Sequence, residues 1–149
     1  MTEVDAELIA HMSDPKNYGR LEEPDAIGIG ENPENGEKVI IYLRIIQEEN
    51  IPQIEDIKFE AIGCMTTVVA GSVVTQEAKG ISFPRAEELI AVTLGMLEHV
   101  PPEDAACSEM VALSLQAAMD TYRSKQLDAS FGSITYKIEN SCVVEEEEA

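Results

Sequence analysis

Three side chains in this sequence can act as soft metal ligands or sulfur nucleophiles: the thiols of Cys64, Cys107 and Cys142. Two of them fall where a helix is expected to begin. In Ala61-Ile62-Gly63-Cys64-Met65-Thr66-Thr67-Val68-Val69-Ala70-Gly71-Ser72 a strand turns into a helix at the cysteine. The strand is read from Ile57, Phe59 and Ala61 alternating with Lys58 and Glu60, and the helix from small and apolar residues continuing to Gln76 and Ala78. Gly63 permits the sharp turn between them. Cys107 follows Asp104 at the opening of another helical segment. A thiol in the first turn of a helix sits beside unpaired N–H groups and the positive end of the macrodipole, which favours the thiolate. The thiolate is the form that binds metals and enters sulfur chemistry. The competing reading makes each cysteine a small buried hydrophobe, as many cysteines are. Two of three at helix starts is a pattern which that reading does not predict.

The elements around these positions follow from periodicity. Val4 to Met12 has Val4, Leu8 and Ile9 at helical spacing and ends at Asp14-Pro15, because a residue before proline avoids the helical region. His11 reads as a partner for the C-terminal dipole of that helix. A short strand over Ala26 to Gly30 leads into a loop whose Asn35-Gly36 is a strong turn signal. The β-branched run Lys38 to Ile46 and a further strand within Asn50 to Phe59 complete a three-stranded meander that feeds Cys64. Helices then take over. Pro84 suits the start of a helix over Arg85 to Glu98, where His99 is again a dipole partner, and Pro101-Pro102 stops it. From Asp104 to about Ser124 a long helix carries Cys107, Val111, Ser114, Ala118 and Tyr122 on one face. Ile134, Tyr136 and Ile138 alternate with Thr135, Lys137 and Glu139, which predicts a late strand.

Charge excludes some partners. Lys and Arg total 10 against 29 Asp and Glu, a formal net charge of −19. A sequence-independent hold on nucleic acid phosphates or anionic lipid is physically disfavoured, and charged partners should be basic proteins or cations. No apolar run approaches a membrane span, and the acidic start Met1-Thr2-Glu3-Val4-Asp5 does not read as a signal peptide. Three cysteines are an odd number and too few for a disulfide framework, which suits reduced or metal-binding thiols in the cytoplasm. The length fits one domain over residues 1–141, followed by an acidic, disordered tail over 142–149 that holds Glu145 to Glu148.

From about Leu8 to Lys125 the chain resembles the IscU family, scaffold proteins of iron–sulfur cluster assembly that also form the N-terminal domain of NifU. His11-Met12-Ser13-Asp14-Pro15-Lys16-Asn17-Tyr18-Gly19 is similar to the family's opening His-x-x-x-Pro-Arg-Asn-x-Gly. Ile62-Gly63-Cys64 is similar to its Tyr-Gly-Cys-Gly junction, and Pro101-Pro102 with Cys107-Ser108 to its Pro-Pro-Val-Lys-Ile-His-Cys-Ser. The resemblance implies an α+β fold, with a small antiparallel three-stranded sheet packed against helices and an extra C-terminal strand where the late alternation falls. It also implies a cluster site at one end of that fold, surrounded by three cysteines, an aspartate and a histidine.

Carried over residue by residue, that site is depleted. The motif Asn-Pro-x-Cys-Gly-Asp becomes Asn32-Pro33-Glu34-Asn35-Gly36-Glu37, and Lys-Ile-His-Cys becomes Asp104-Ala105-Ala106-Cys107. Asn35 stands for a cysteine, Ala106 for the histidine, Asp104 for the lysine. What remains is Cys64 and Cys107 as thiolate ligands and Glu37 as an oxygen ligand or a gate for release. Such a set holds iron or zinc with a position open, or a 2Fe–2S cluster if two chains of a homodimer each supply two thiolates. Asn35 is a weak neutral ligand that cannot replace a thiolate, and the lysine-to-aspartate change reverses a charge beside the site, which should raise the thiol pKa values and penalise a bound anionic cluster. Three roles follow: a divergent scaffold or carrier working with assembly proteins such as a cysteine desulfurase; a non-assembling module that docks or regulates those proteins; and a sulfur acceptor. None of the three is an enzyme in its own right. The sequence leaves open whether Cys142, outside the matching region, reaches the site.

Overall fold

A computed structural model describes residues 14–34, 36–63, 65–100 and 102–138 of the chain, at 65, 66 and 102–104 by the backbone alone. The expected helix over Val4 to Met12, His11, Asn35, Cys64, Pro101, Cys142 and the acidic tail lie outside the described residues. Strands β1 (Ala26–Asn32), β2 (Glu37–Glu48) and β3 (Ile51–Ile62) come first. Helices α1 (Met65–Ala78), α2 (Phe83–Met96) and α3 (Pro102–Leu127) follow, a 3-10 turn (Leu97–His99) joins α2 to α3, and β4 (Ile134–Lys137) comes last.

The sheet order is β3-β2-β1-β4. β1 with β2 and β2 with β3 are antiparallel, as tight turns require, while β4 lies parallel to β1 with Gly28 opposite Ile134 and Gly30 opposite Tyr136. The sheet is therefore four-stranded and mixed, which corrects the expectation of a three-stranded antiparallel sheet. The cause is α3: a long helix returns the chain across the sheet before β4, so the last strand enters in the same direction as β1.

Alternation decides the faces. Val39, Ile41 and Leu43 of β2 and Ile57 and Phe59 of β3 are fully buried beneath the helices, where they join Met110, Val111, Leu115, Ala118 and Met119 of α3. Burying one such side chain contributes about 1.5–3 kcal/mol, so this single layer supplies most of the driving force. α3 lies directly on β1, and that contact explains two glycines. A Cβ on Gly28 would strike the Ala118 and Ser114 backbone, and one on Gly30 the Met110 carbonyl. β4 is tied to the same helix, since Tyr136 donates to Asp120 Oδ2 at 2.6 Å and the Ile134 N–H to Thr121 Oγ1 at 3.0 Å.

The segment before β1 laces the outside of the sheet. The Lys16 N–H donates to Ser72 Oγ of α1 at 2.7 Å, Asn17 Nδ2 to Thr75 Oγ1 at 3.2 Å, and the Gly19 N–H to the Phe59 carbonyl at 2.8 Å. Ser82 caps α2 by accepting from the Arg85 N–H, with proline in its first turn. No helix among the described residues is long and apolar enough to cross a membrane.

Candidate functional site

The register of the sheet assembles one end of the molecule. β1 ends at Asn32, paired with Glu37 at the start of β2, and the next β2 residue, Lys38, pairs with Ile62 at the end of β3. The Gly36 N–H closes the turn on the Asn32 carbonyl at 2.9 Å, and the Glu34 N–H donates to Asn32 Oδ1 at 3.0 Å. Gly36 has φ +78°, the left-handed conformation for which Asn-Gly turns are selected. Glu37 is thus carried to the chain's exit from β3, immediately before Cys64.

The carboxylate of Glu37 lies over Gly63. A Cβ at Gly63 would sit 2.9 Å from Glu37 Cδ and 3.3 Å from Oε1, so only a residue without a side chain leaves room for it. The φ of +157° at Gly63 is a second reason for glycine. Gly63 was expected for a sharp turn; the close approach of Glu37 was not legible from the residues around it.

Cys107 reaches the same end from α3. Gly28 meets Ala118 and Ser114, and Gly30 meets Ser114 and Met110, so α3 runs antiparallel to β1 and its opening turns lie toward Asn32. The Cys107 side chain is half-buried, and the fully buried Thr67 donates its hydroxyl to Sγ at 3.1 Å. Thr67 lies in the first turn of α1, the turn that Cys64 precedes. An O–H donor to sulfur strengthens as negative charge builds there. Thr67 was not singled out by sequence reasoning. The signal available was a run of hydroxyl residues, Thr67, Ser72 and Thr75, within a helix of small and apolar residues.

One expectation is corrected. α3 begins at Pro102 rather than Asp104, with proline in the position whose N–H has no intrahelical partner, so Cys107 is its sixth residue and lies in the second turn. The unpaired N–H groups are confined to the first four residues, and the dipole effect fades within the first turn. The helix start therefore does not by itself act on Cys107, whose sulfur meets the Thr67 hydroxyl. Ala106 packs against the hydrophobic core and offers no donor. Among the described residues no three His, Cys, Asp or Glu side chains form a metal-holding group, and Cys64 lies outside them.

Elsewhere, two tyrosines have their pKa pushed up to about 12. Tyr42 is raised by burial and by its 2.6 Å hydrogen bond to Glu60, which also pairs with Arg20; Tyr136 is raised by burial and by its bond to Asp120. Both hydroxyls stay protonated at neutral pH and act as structural donors.

The family model described as "NifU-like N terminal domain" matches residues 3–129. The chain belongs to the NifU-like N-terminal domain family. Its similarity to curated relatives agrees: it is 33% identical over 119 residues to "Iron-sulfur cluster assembly scaffold protein IscU 1" of Archaeoglobus fulgidus, covering 77% of this chain and 73% of the relative. It is 30% identical over 122 residues to the IscU scaffold protein of Haemophilus influenzae, covering 80% of this chain and 94% of that one. The crystal structure of a NifU-like N-terminal protein from Brucella abortus superposes with a TM-score of 0.65 at 15% identity, over 80% of this chain and 93% of that one. At that identity the likeness is one of fold. The α+β architecture set out above is therefore the NifU-like one.

Proposed function

We propose that this chain serves iron–sulfur cluster assembly as a non-enzymatic scaffold or carrier, with Cys64 and Cys107 as thiolate ligands and Glu37 as the oxygen ligand. What supports the reading is that Glu37 and Cys107 are both carried to the end of the fold where β3 gives way to α1. The Glu37 carboxylate lies over Gly63, the residue before Cys64 in sequence, and the Cys107 sulfur accepts from a hydroxyl on the helix that Cys64 precedes. Relatives named as cluster assembly scaffolds support the process.

The donor set determines what is held. Two thiolates and a carboxylate bind ferrous iron, or zinc, with a position left open for sulfide, water or a further ligand. A 2Fe–2S cluster asks for four ligands of the thiolate or imidazole kind, which two copies of the chain in a homodimer would supply from four cysteines. The sulfide would come from a partner such as a cysteine desulfurase, and the thiol content suits the reducing cytoplasm. An acidic chain recruits partners through basic surfaces.

Ala106 favours a second reading. Its methyl packs on the core where a histidine ligand stands in the motif that this chain resembles, so the chain is also consistent with a non-assembling module that docks or regulates assembly proteins. Anaerobic reconstitution of the full chain with ferrous iron and sulfide separates the two. Visible absorption with iron and sulfide in equal amounts, lost in the Cys64→Ser/Cys107→Ser variant, supports a scaffold; doubling of the mass on loading supports the shared cluster. Binding of neither by the parent chain sinks the scaffold reading and leaves the docking module.

A further inference from the structure

The helices share one core with Val39 and Ile41 of β2 and Ile57 and Phe59 of β3, so the residues alternating with these point to the outer face of the sheet. The register orders that face into rows. At the end where β1 turns into β2, Lys137, Glu31, Lys38 and Ile62 stand side by side across the four strands. In the next row Ile29 stands beside Ile40, and Lys58 lies further along β3. Lys38 follows Glu37 in sequence and Ile62 precedes Gly63, so these side chains form the back of the end that carries the proposed site.

Charge sets this patch apart from the chain around it. The protein has a net charge of −19, yet among the described residues no carboxylate pairs with Lys38, Lys58 or Lys137. Elsewhere cations are matched. Lys79 pairs with Asp56 at 3.3 Å and Arg123 with Asp120 at 3.0 Å, and Glu60, the carboxylate opposite Ile40, is held by Arg20 and by the Tyr42 hydroxyl. Three amines against Glu31 leave this end of the outer face positive. It is apolar as well: Ile62 is 56% exposed, and Ile29 and Ile40 lie half-buried between the lysines. An apolar centre with a charged rim is the anatomy of a contact surface.

Screening lets so small a patch act on its own. At physiological salt a charge is felt over about 8 Å, while neighbouring strands are about 4.8 Å apart, so a partner on this face meets the lysines and not the carboxylates of the helical side. We propose that this end of the outer face docks a protein partner that presents acidic side chains around an apolar contact. The chain as a whole selects basic partners; this surface is the exception. What the partner delivers or receives rests on the proposed function, whereas the surface itself does not.

The test is a titration of the full, metal-free chain with a synthetic peptide of glutamates around a leucine pair, reading amide NMR shifts and affinity. Shifts should concentrate at Glu31, Lys38, Ile62 and Lys137. Lys38→Glu and Lys137→Glu should each weaken binding about fivefold or more, and Ile62→Ser to a similar degree, whereas Lys125→Glu on α3, which changes the net charge equally, should leave it within about twofold. All variants are checked for an unchanged circular dichroism spectrum. Equal weakening by the three charge reversals, shifts spread evenly over the chain, or no binding of the peptide overturns the inference. So does binding of an oligonucleotide or of anionic lipid vesicles as tight as that of the peptide. Because the titration contains no metal, a chain that binds the peptide but takes up no iron loses the proposed site and keeps this surface.

Discussion

The two halves of α3 solve different problems. Its middle, from Met110 to Ala118, lies against β1 so closely that backbone meets backbone, and Gly28 and Gly30 exist to allow it. Its opening turns carry Cys107, which is half-buried and whose sulfur accepts from the buried Thr67 hydroxyl. Precision in the first region is geometric and comes from the absence of side chains. In the second it is chemical and comes from what each side chain can donate or accept. The contrast teaches that the seam fixes how β1 and α3 lie, and so the end to which Cys107 is carried, without supplying a donor itself.

The most severe way to break this comparison is to fill the seam. Gly30→Val puts a Cβ into the Met110 carbonyl of a helix that cannot move without dragging the core, and should cost about 3 kcal/mol or more in a urea unfolding titration. A cost within about 0.5 kcal/mol would mean that the seam is loose. At the site the balance should invert. Glu37→Gln keeps the shape of the side chain over Gly63 and removes its charge, so ferrous iron affinity should fall about tenfold, or about 1.4 kcal/mol, while the unfolding midpoint barely moves. Equal iron affinity in the two proteins would remove Glu37 from the ligand set.

A third probe sits where β4 joins α3. Tyr136→Phe deletes the hydroxyl that donates to Asp120, an acceptor that keeps Gln116 and Arg123, and should cost about 1 kcal/mol. The same tyrosine gives a pH signature. Its pKa is raised from an ordinary 10.0 to about 12, so the folded state favours the neutral phenol: the stabilisation is whole below pH 10 and is lost as pH rises through 12. The parent chain should therefore lose its advantage over Tyr136→Phe across that window. A constant difference from pH 9 to 12 would contradict the assignment. Weakest of all is Arg20→Ala. The guanidinium is largely exposed beside Glu60, and its loss should change stability by less than about 0.5 kcal/mol in the same titration.

The fold was legible where the information is local. Alternation located β1, β2 and β3, Asn35-Gly36 located their first turn, and the apolar periodicity around Val111 and Ala118 located α3 and its buried face. The direction of β4 was not legible, because a four-residue strand alternates identically whether it pairs parallel or antiparallel. The start of α3 was misplaced by two residues because Pro101-Pro102 reads both as the end of one helix and as the first residue of the next. Resemblance nominated Glu37, yet its packing on Gly63 depends on a register between β2 and β3 that no single residue announces. Thr67 was hidden for the same reason: its partner is forty positions away.

The central claim is that Glu37, Cys64 and Cys107 form one metal-ligating site, and X-ray absorption at the iron edge tests it most directly. Applied to the full chain loaded anaerobically with ferrous iron, it should report sulfur together with oxygen neighbours. The sulfur count should fall in Cys107→Ser, and the oxygen shell should change in Glu37→Gln. Iron surrounded only by oxygen and nitrogen, or a spectrum identical in all three proteins, would contradict the account.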